Sequence, residues 1–160
     1  MNEPRTTLPP SIRMGEMAVA STDGLLRTLL GSCIGLALYD RRRRIAGLAH
    51  IVLPDSRGKT ETPAKFVDTA VPALIRDMQA LTDEPLRLSA RIAGGANMFA
   101  ASGARRIGDL NVEAGEALLR ELKTPIVGRH SGGTKGRRMT LDVATGVIRI
   151  EVVGLDPEEI

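Results

Sequence analysis

Two apolar runs separated by a short polar segment constrain the fold of this chain most strongly. The runs cover residues 33–39 and 45–53, and residues 40–43 lie between them. Each run has the length of a β-strand, and the polar segment is typical of a hairpin loop. Both faces of the hairpin are apolar, which predicts a central position in the core. One face carries Gly35, Ala37 and Ala46, and the other carries Ile34, Leu36, Leu38 and Ile45.

Further strands and two helices are predicted around this hairpin. The strands cover residues 12–20, 25–30, 86–92, 138–143 and 147–153, and the helices cover 64–81 and 112–122. Asn111 is a candidate helix cap, Pro72 predicts a kink or break near Ala70, and Asp23-Gly24 is a turn signal between the first two strands. The apolar face predicted for the second helix is formed by Leu110, Ala114, Ala117, Leu118 and Leu122. The sum predicts an α/β (α+β) layered sandwich, with a mixed, largely antiparallel sheet and two main helices.

Composition narrows the class of protein. The chain has 160 residues, the size of one domain, so residues 1–160 are read as a single unit with a flexible arm over residues 1–10. The single cysteine, Cys33, excludes an internal disulfide and a cysteine-rich zinc site. No metal or cofactor is expected, and the glycine pairs Gly94-Gly95 and Gly132-Gly133 match no nucleotide-binding fingerprint. No apolar run reaches the roughly 18 residues of a membrane helix and no signal segment is present, which favours a cytoplasmic protein without membrane insertion.

The basic residues leave three interpretations open. The net charge is +3, and the densest cluster is the run Arg41 to Arg44. The run could contact nucleic acid, an acidic protein partner or only solvent. Aromatic residues make up 2% of the chain, too few for base stacking, so a solvated loop tip is favoured and no nucleic-acid partner is expected.

The hairpin brings together one thiol and one imidazole. If residues 40–43 form the loop, Tyr39 pairs with Arg44, and Cys33 then lies directly opposite His50. Directly opposed residues point to the same face with Cβ atoms about 5 Å apart. A slip of one residue would destroy this arrangement. The alternative is a buried structural thiol with an unrelated histidine.

A cysteine beside a histidine can act as a nucleophile. The histidine favours the thiolate by forming an ion pair, protonates a leaving amine and activates water. A third group usually orients the imidazole, and Thr28 on the preceding strand is the candidate. Backbone N–H groups at Ser32 and Cys33, with the Gly94-Gly95 loop, could bind an oxyanion. The glycines could equally be simple turns.

Two polar residues remain without an assigned role. His130 lies in a glycine-rich segment, where it is either a solvated loop residue or part of a site wall. Asn97 could contact a substrate amide or serve only the fold.

Several blocks of the sequence resemble one known family, the chemoreceptor glutamine deamidases named CheD. Thr28-Leu-Leu-Gly-Ser-Cys-Ile-Gly-Leu-Ala-Leu-Tyr-Asp40 is followed by Gly47-Leu-Ala-His-Ile-Val-Leu-Pro54, which places a histidine 17 positions after the cysteine. Further blocks follow in order, and the resemblance spans about residues 12–153. These blocks are Lys65 to Pro72, Gly94 to Phe99, Ile107-Gly108 with Asn111, Thr124 to Ile126, and Gly132 to Arg138.

The resemblance implies a fold, an activity and partners. The fold is that of bacterial toxins that deamidate glutamine, and the site is Cys33, His50 and Thr28. The activity is conversion of chemoreceptor glutamine side chains to glutamate, with hydrolysis of glutamate methyl esters as a further activity. The partners are the cytoplasmic helices of chemoreceptors and a CheC-type phosphatase. The segment Ile107 to Asn111 departs from the usual family pattern at Asp109 and Leu110.

A non-catalytic role is the alternative hypothesis. The same chain could bind acidic receptor helices or a phosphatase without performing chemistry. The arginine pairs Arg105-Arg106 and Arg137-Arg138 would suit such a module.

Overall fold

The computed structural model describes residues 9–59, 61–98 and 106–160, in which nine strands and two α-helices form. The first eight residues of the expected arm lie outside the described residues. The elements are β1 (Met17–Ser21), β2 (Leu25–Leu30), β3 (Ile34–Asp40), β4 (Ile45–Ile51), a 3₁₀ turn (Pro63–Lys65), α1 (Val67–Gln79), β5 (Ser89–Gly94), α2 (Ile107–Glu121), β6 (Ile126–Ser131), β7 (Arg137–Asp142), β8 (Ile148–Glu151) and β9 (Glu158–Glu159). Neither helix is long and apolar enough to cross a membrane.

The elements stack in three layers. The central sheet has the order β1-β4-β3-β5-β6, and the second sheet has the order β2-β7-β8-β9. The two helices pack on one face of the central sheet, and the second sheet covers its other face. Among the strands of the described residues, β5 and β6 pair in parallel and the other pairs are antiparallel. The predicted α+β class, with a mixed and largely antiparallel sheet and two helices, is confirmed.

The alternation along β3 explains why this strand lies in the centre. Ile34, Leu36 and Leu38 enter the core beneath the helices, whereas Ala37 and Tyr39 enter the core between the two sheets. Every residue of β3 and β4 is buried. The predicted hairpin, apolar on both faces, is therefore confirmed.

The helices differ from their predicted forms at three points. The break expected near Ala70 is wrong, because α1 continues through Pro72, and the predicted helical segment is interrupted at Phe66 instead, where the backbone is extended. Packing of the apolar face of α1 stabilises the helix across the lost hydrogen bond. Helix α2 begins earlier than predicted, so Asn111 lies inside it and is not its cap. Its fully buried residues are Gly108, Asn111, Gly115 and Leu119. Of the predicted apolar face, Ala114 and Leu118 pack half-buried against the core, whereas Ala117 and Leu122 are exposed.

The strand predictions were correct for β2 and approximate for β1, β5, β7 and β8, and they missed β6 and β9. Residues 25–30 form β2 as predicted, but the first strand covers only the end of 12–20. β1 and β2 join different sheets and do not pair across the turn at Asp23-Gly24. β6 was missed because its exposed and half-buried residues alternate without an apolar stripe. The C-terminal pair β7–β8 matches the predicted hairpin.

Candidate active site

The pairing of β3 with β4 differs from the predicted register by two residues. His50 lies opposite Gly35, not opposite Cys33. The loop begins one residue later than predicted because Asp40 belongs to β3, where its buried carboxylate accepts hydrogen bonds from the N–H groups of Arg43 and Arg87. A shift of two residues keeps the side chains on the same face. Cys33 and His50 are therefore diagonal neighbours, a relation that corresponds to roughly 7–8 Å between Cα atoms.

Cys33 lies just before β3, in the turn that enters it. The N–H of Gly95 donates to the Cys33 carbonyl at 2.9 Å, which continues the β3–β5 ladder through this residue. A side chain at Gly35 would point toward Met139 and Leu30 in the second sheet. The faces of β3 and β4 that carry Cys33 and His50 therefore look toward β2, which carries Thr28.

A chain of hydrogen bonds defines the tautomer of His50. Thr28 Oγ1 lies 2.6 Å from the Ile12 carbonyl oxygen and 2.6 Å from His50 Nδ1. The hydroxyl has one proton, and a carbonyl oxygen can only accept, so the Thr28 proton goes to Ile12. His50 Nδ1 must then carry the proton of the second bond. The unprotonated nitrogen is Nε2, which is a potential base.

The basic nitrogen of His50 is buried and free. Among the described residues, Nε2 has no hydrogen-bond partner, and no hydrogen bond joins it to the Cys33 sulfur. The backbone of His50 is also held in place, since its N–H donates to the Glu16 carbonyl and its carbonyl accepts from the N–H of Gly15. A buried lone pair without a partner is costly in a structural residue.

Burial keeps both groups neutral in the resting state. It raises the pKa of the Cys33 thiol, although the backbone N–H of the same residue lowers it. Burial lowers the pKa of His50, against the opposing effects of the Ile12 carbonyl and the Glu16 charge. The ion pair expected from the sequence is thus disfavoured, because each charged form would lose its hydration.

The thiol is nearly covered, and a cavity opens beside its turn. Cys33 is 7% exposed. The neighbouring cavity has a volume of about 910 Å³ and reaches Leu30 and Gly31. Its other walls include Met98 and the segment from Thr134 to Arg138.

Gly94 and Gly95 support the turn from below. The Gly95 N–H binds the Cys33 carbonyl, and the Ala96 N–H binds the Gly31 carbonyl at 2.9 Å. Gly94 has φ +98°, and a Cβ atom there would lie under 3.0 Å from the Cys33 carbonyl oxygen. Only glycine fits this position without displacing the turn. Both glycines thus act from the carbonyl side of the turn.

Arg137 fixes the glycine-rich segment next to these residues. Its guanidinium donates to the carbonyl oxygens of His130, Gly132 and Lys135 and to His130 Nδ1. The residue is 7% exposed, and burial lowers its pKa. Because His130 Nδ1 accepts from Arg137, the ring proton sits on Nε2 and faces Glu158 at 2.8 Å. His130 is therefore a strand residue in a structural cluster, not a solvated loop residue.

The other residues singled out from the sequence are not part of the group formed by Cys33, His50 and Thr28. The Asn97 side chain donates to Asp109. Residues 41–44 form the β3–β4 loop, so the arginine run is at the opposite end of β3 from Cys33. Within that run, Arg43 pairs with Asp40 and Glu84. Arg105 and Phe99 lie outside the described residues.

Two contributors to the site were missed in the sequence. The Ile12 carbonyl completes the hydrogen-bond chain of His50 and has no sequence signal, because any residue supplies a carbonyl. Asn111 donates from Nδ2 to the carbonyls of Ser32 and Val52 at 3.2 and 2.9 Å. Its signal was available, since it shares a helical spacing with Gly108, Gly115 and Leu119 and is a polar residue in a buried stripe.

Comparison with known proteins agrees with the resemblance seen in the sequence. Residues 52–152 match the family model described as CheD, chemotactic sensory transduction. The chain belongs to the CheD family. A Clostridium botulinum (strain Eklund 17B / Type B) CheD is 43% identical over 142 residues, covering 86% of this chain and 88% of the relative. A Clostridium kluyveri CheD is 41% identical over 155 residues, covering 93% and 96%.

The relatives carry an activity in their names. Both are named probable chemoreceptor glutamine deamidase CheD, as is a third CheD from C. botulinum strain Alaska E43, 41% identical over 150 residues, with 90% and 93% coverage. The CheD family match starts two residues after His50. The pairwise similarity covers most of the chain.

Proposed function

We propose that this CheD protein is a protein-glutamine deamidase that acts on chemoreceptors through a thioester on Cys33. One observation carries the chemical part of the proposal. The Thr28–Ile12 hydrogen bonds hold His50 with a free, unprotonated Nε2 on the face that carries Cys33. The names of the CheD relatives support the substrate class.

In the first half-reaction the amide becomes a thioester. His50 Nε2 takes the proton of the Cys33 thiol as the sulfur attacks the side-chain carbonyl carbon of a glutamine. The C–S bond forms and the carbonyl π electrons move to oxygen, which gives a tetrahedral oxyanion. His50 then donates its proton to the amide nitrogen, the C–N bond breaks, and ammonia leaves.

In the second half-reaction water releases glutamate. His50 removes a proton from water, which attacks the thioester carbon and forms a second oxyanion. The C–S bond breaks, and the proton on His50 returns to the sulfur. Thr28 keeps Nδ1 protonated in both halves, so that Nε2 alone exchanges protons with the reactants.

Backbone N–H groups of the turn bind the oxyanion in this mechanism. The Gly31 carbonyl faces Ala96 and the Ser32 carbonyl faces Asn111, so the N–H groups of Ser32 and Cys33, which belong to the same two peptide groups, point the opposite way. Gly95 holds the Cys33 carbonyl through its N–H, and Gly94 leaves room for that carbonyl. Two N–H donors aimed at one oxygen are the usual form of such a site.

The same mechanism would also hydrolyse glutamate methyl esters, and the proposed substrate indicates which partners to expect. A glutamate methyl ester would lose methanol where glutamine loses ammonia. The proposed substrate is a glutamine on a cytoplasmic receptor helix, so we expect this CheD protein in the cytoplasm, with a CheC-type phosphatase as a further partner. The fold class is compatible with that of glutamine-deamidating toxins.

Mass spectrometry of a receptor fragment tests the proposal. The purified protein is incubated with a chemoreceptor cytoplasmic fragment, and each glutamine peptide is monitored for the mass gain of amide-to-acid conversion. We expect conversion at defined glutamines with the wild-type chain and none with Cys33→Ala. Full conversion by Cys33→Ala would refute the thioester mechanism.

A second measurement separates the enzyme from a binding module. Both hypotheses allow Cys33→Ala to bind the receptor fragment. Only the enzyme hypothesis requires that His50→Ala abolish conversion while binding persists. Binding by the wild type without any conversion would favour the non-catalytic module.

A further inference from the structure

We propose that Asn111 is a positioning residue that orients the Ser32–Cys33 peptide group so that the Cys33 N–H faces the reaction oxyanion. Asn111 is 0% exposed and lies inside α2, 79 positions along the chain from Ser32. Its amide nitrogen donates to the Ser32 carbonyl at 3.2 Å. The inference rests on the proposed deamidase function.

Because the peptide group is planar, the bond from Asn111 to the Ser32 carbonyl also sets the direction of the Cys33 N–H. In a trans peptide the carbonyl of one residue and the N–H of the next point in opposite directions. Holding the Ser32 carbonyl toward α2 therefore directs the Cys33 N–H away from α2. In the described ranges, the N–H groups of Ser32 and Cys33 donate to no backbone oxygen. The Cys33 N–H favours the thiolate form of its own side chain, and once the sulfur has bonded to carbon both donors are available for the negative charge on oxygen.

A second hydrogen bond from the Asn111 amide connects the turn that carries Cys33 to β4, the strand that carries His50. Asn111 Nδ2 also donates to the carbonyl of Val52 at 2.9 Å, two residues after His50. The Asn111 side chain thus joins the turn that contains Cys33 to the end of β4. Close contact of Gly108 with Gly95 fixes α2 at this distance, since a Cβ atom on Gly108 would clash with the Gly95 backbone.

The side-chain oxygen of Asn111 indicates that this residue does more than stabilise the fold. Asn111 Oδ1 is buried and has no hydrogen-bond partner in the part of the chain that the structure describes. An unsatisfied buried carbonyl oxygen lowers stability. A residue selected only for packing at this position would not carry that oxygen, whereas the two Nδ2 bonds require an amide.

Two reactions of the same sulfur separate positioning from folding. Alkylation by iodoacetamide forms a C–S bond as iodide leaves, and no oxyanion develops. Deamidation passes through an oxyanion twice. Loss of oxyanion positioning should therefore slow deamidation and spare alkylation, while damage to the thiol or to His50 slows both. Loss of the fold would slow deamidation and speed alkylation, because the thiol is buried in the native state.

The test compares Asn111→Ala and the isosteric Asn111→Asp with the wild type. We expect kcat for deamidation to fall about 10- to 100-fold with KM nearly unchanged, since losing one oxyanion donor outright costs about 100- to 1000-fold. The alkylation rate should stay close to that of the wild type. Leu119→Ala, a fully buried α2 residue away from the turn, controls for general destabilisation and should keep the wild-type ratio of the two rates.

The outcomes separate this inference from the proposed function. An active wild type whose Asn111 variants lose both rates equally, or lose neither, would overturn the role of Asn111 alone. A wild type that alkylates but never deamidates would overturn both proposals. If both Asn111 variants fail to fold where Leu119→Ala folds, Asn111 is a folding residue and the inference is wrong.

Discussion

Replacing Thr28 with valine removes the hydroxyl that sets the His50 tautomer and keeps the side-chain shape. Thr28 is fully buried and makes two short hydrogen bonds, each of 2.6 Å. In the variant, His50 Nδ1 retains only the Ile12 carbonyl, which lies 3.3 Å away. The ring is then held by one longer bond, and the wrong tautomer becomes accessible.

The expected loss follows from the free energy of one hydrogen bond. A net contribution of about 0.5–1.5 kcal/mol corresponds to a fall in kcat of about 2- to 12-fold at 1.36 kcal/mol per tenfold. The loss stays in this range because the Ile12 carbonyl still accepts from Nδ1. Stability should fall by about 1 kcal/mol, which lowers Tm by about 2–4 °C for a chain of this size.

Steady-state deamidation of a receptor fragment and thermal unfolding measure these two effects. Thr28→Ser is the matched control, since it keeps the hydroxyl and loses one methyl group, and it should retain most of the wild-type kcat. Unchanged kcat in Thr28→Val would refute the orienting role. The same conclusion would follow if Thr28→Ser lost as much activity as Thr28→Val.

Two further predictions follow from the electrostatics and the backbone of the site. Burial lowers the pKa of His50 and raises that of Cys33, so kcat/KM should fall only below about pH 6.5 and above about pH 8.5, beyond the usual values of the two groups. A fall beginning within that window would contradict a neutral resting pair. Gly94→Ala should lower Tm by about 4 °C or more, because the new Cβ meets the Cys33 carbonyl and a cost above about 2 kcal/mol is typical of such strain. Gly24→Ala, with φ +106° and open space, is the matched control, and an equal Tm loss in both variants would show that the clash with the turn contributes nothing.

The sequence determined which face Cys33 and His50 share. Alternating side chains assign each residue of a strand to one face, and this assignment depends only on whether the register shift is even or odd. The predicted register was wrong by two residues, yet the faces were correct. The buried hairpin was predictable for the same reason, since its runs are apolar on both faces. The local pattern did not predict that Asp40 belongs to β3. This charged residue is accommodated in the strand because its carboxylate accepts a hydrogen bond from the N–H of the distant residue Arg87.

Only the tertiary structure decided which groups surround the thiol and the imidazole. Thr28 reaches His50 because β2 belongs to the second sheet and stacks over β4. The Ile12 carbonyl and the Asn111 amide reach the site from other parts of the chain. Hydrogen bonds between layers depend on how sheets and helices pack, and side-chain periodicity within one segment carries no information about that packing. Periodicity fixes the face on which a residue lies, and three-dimensional packing fixes its partner.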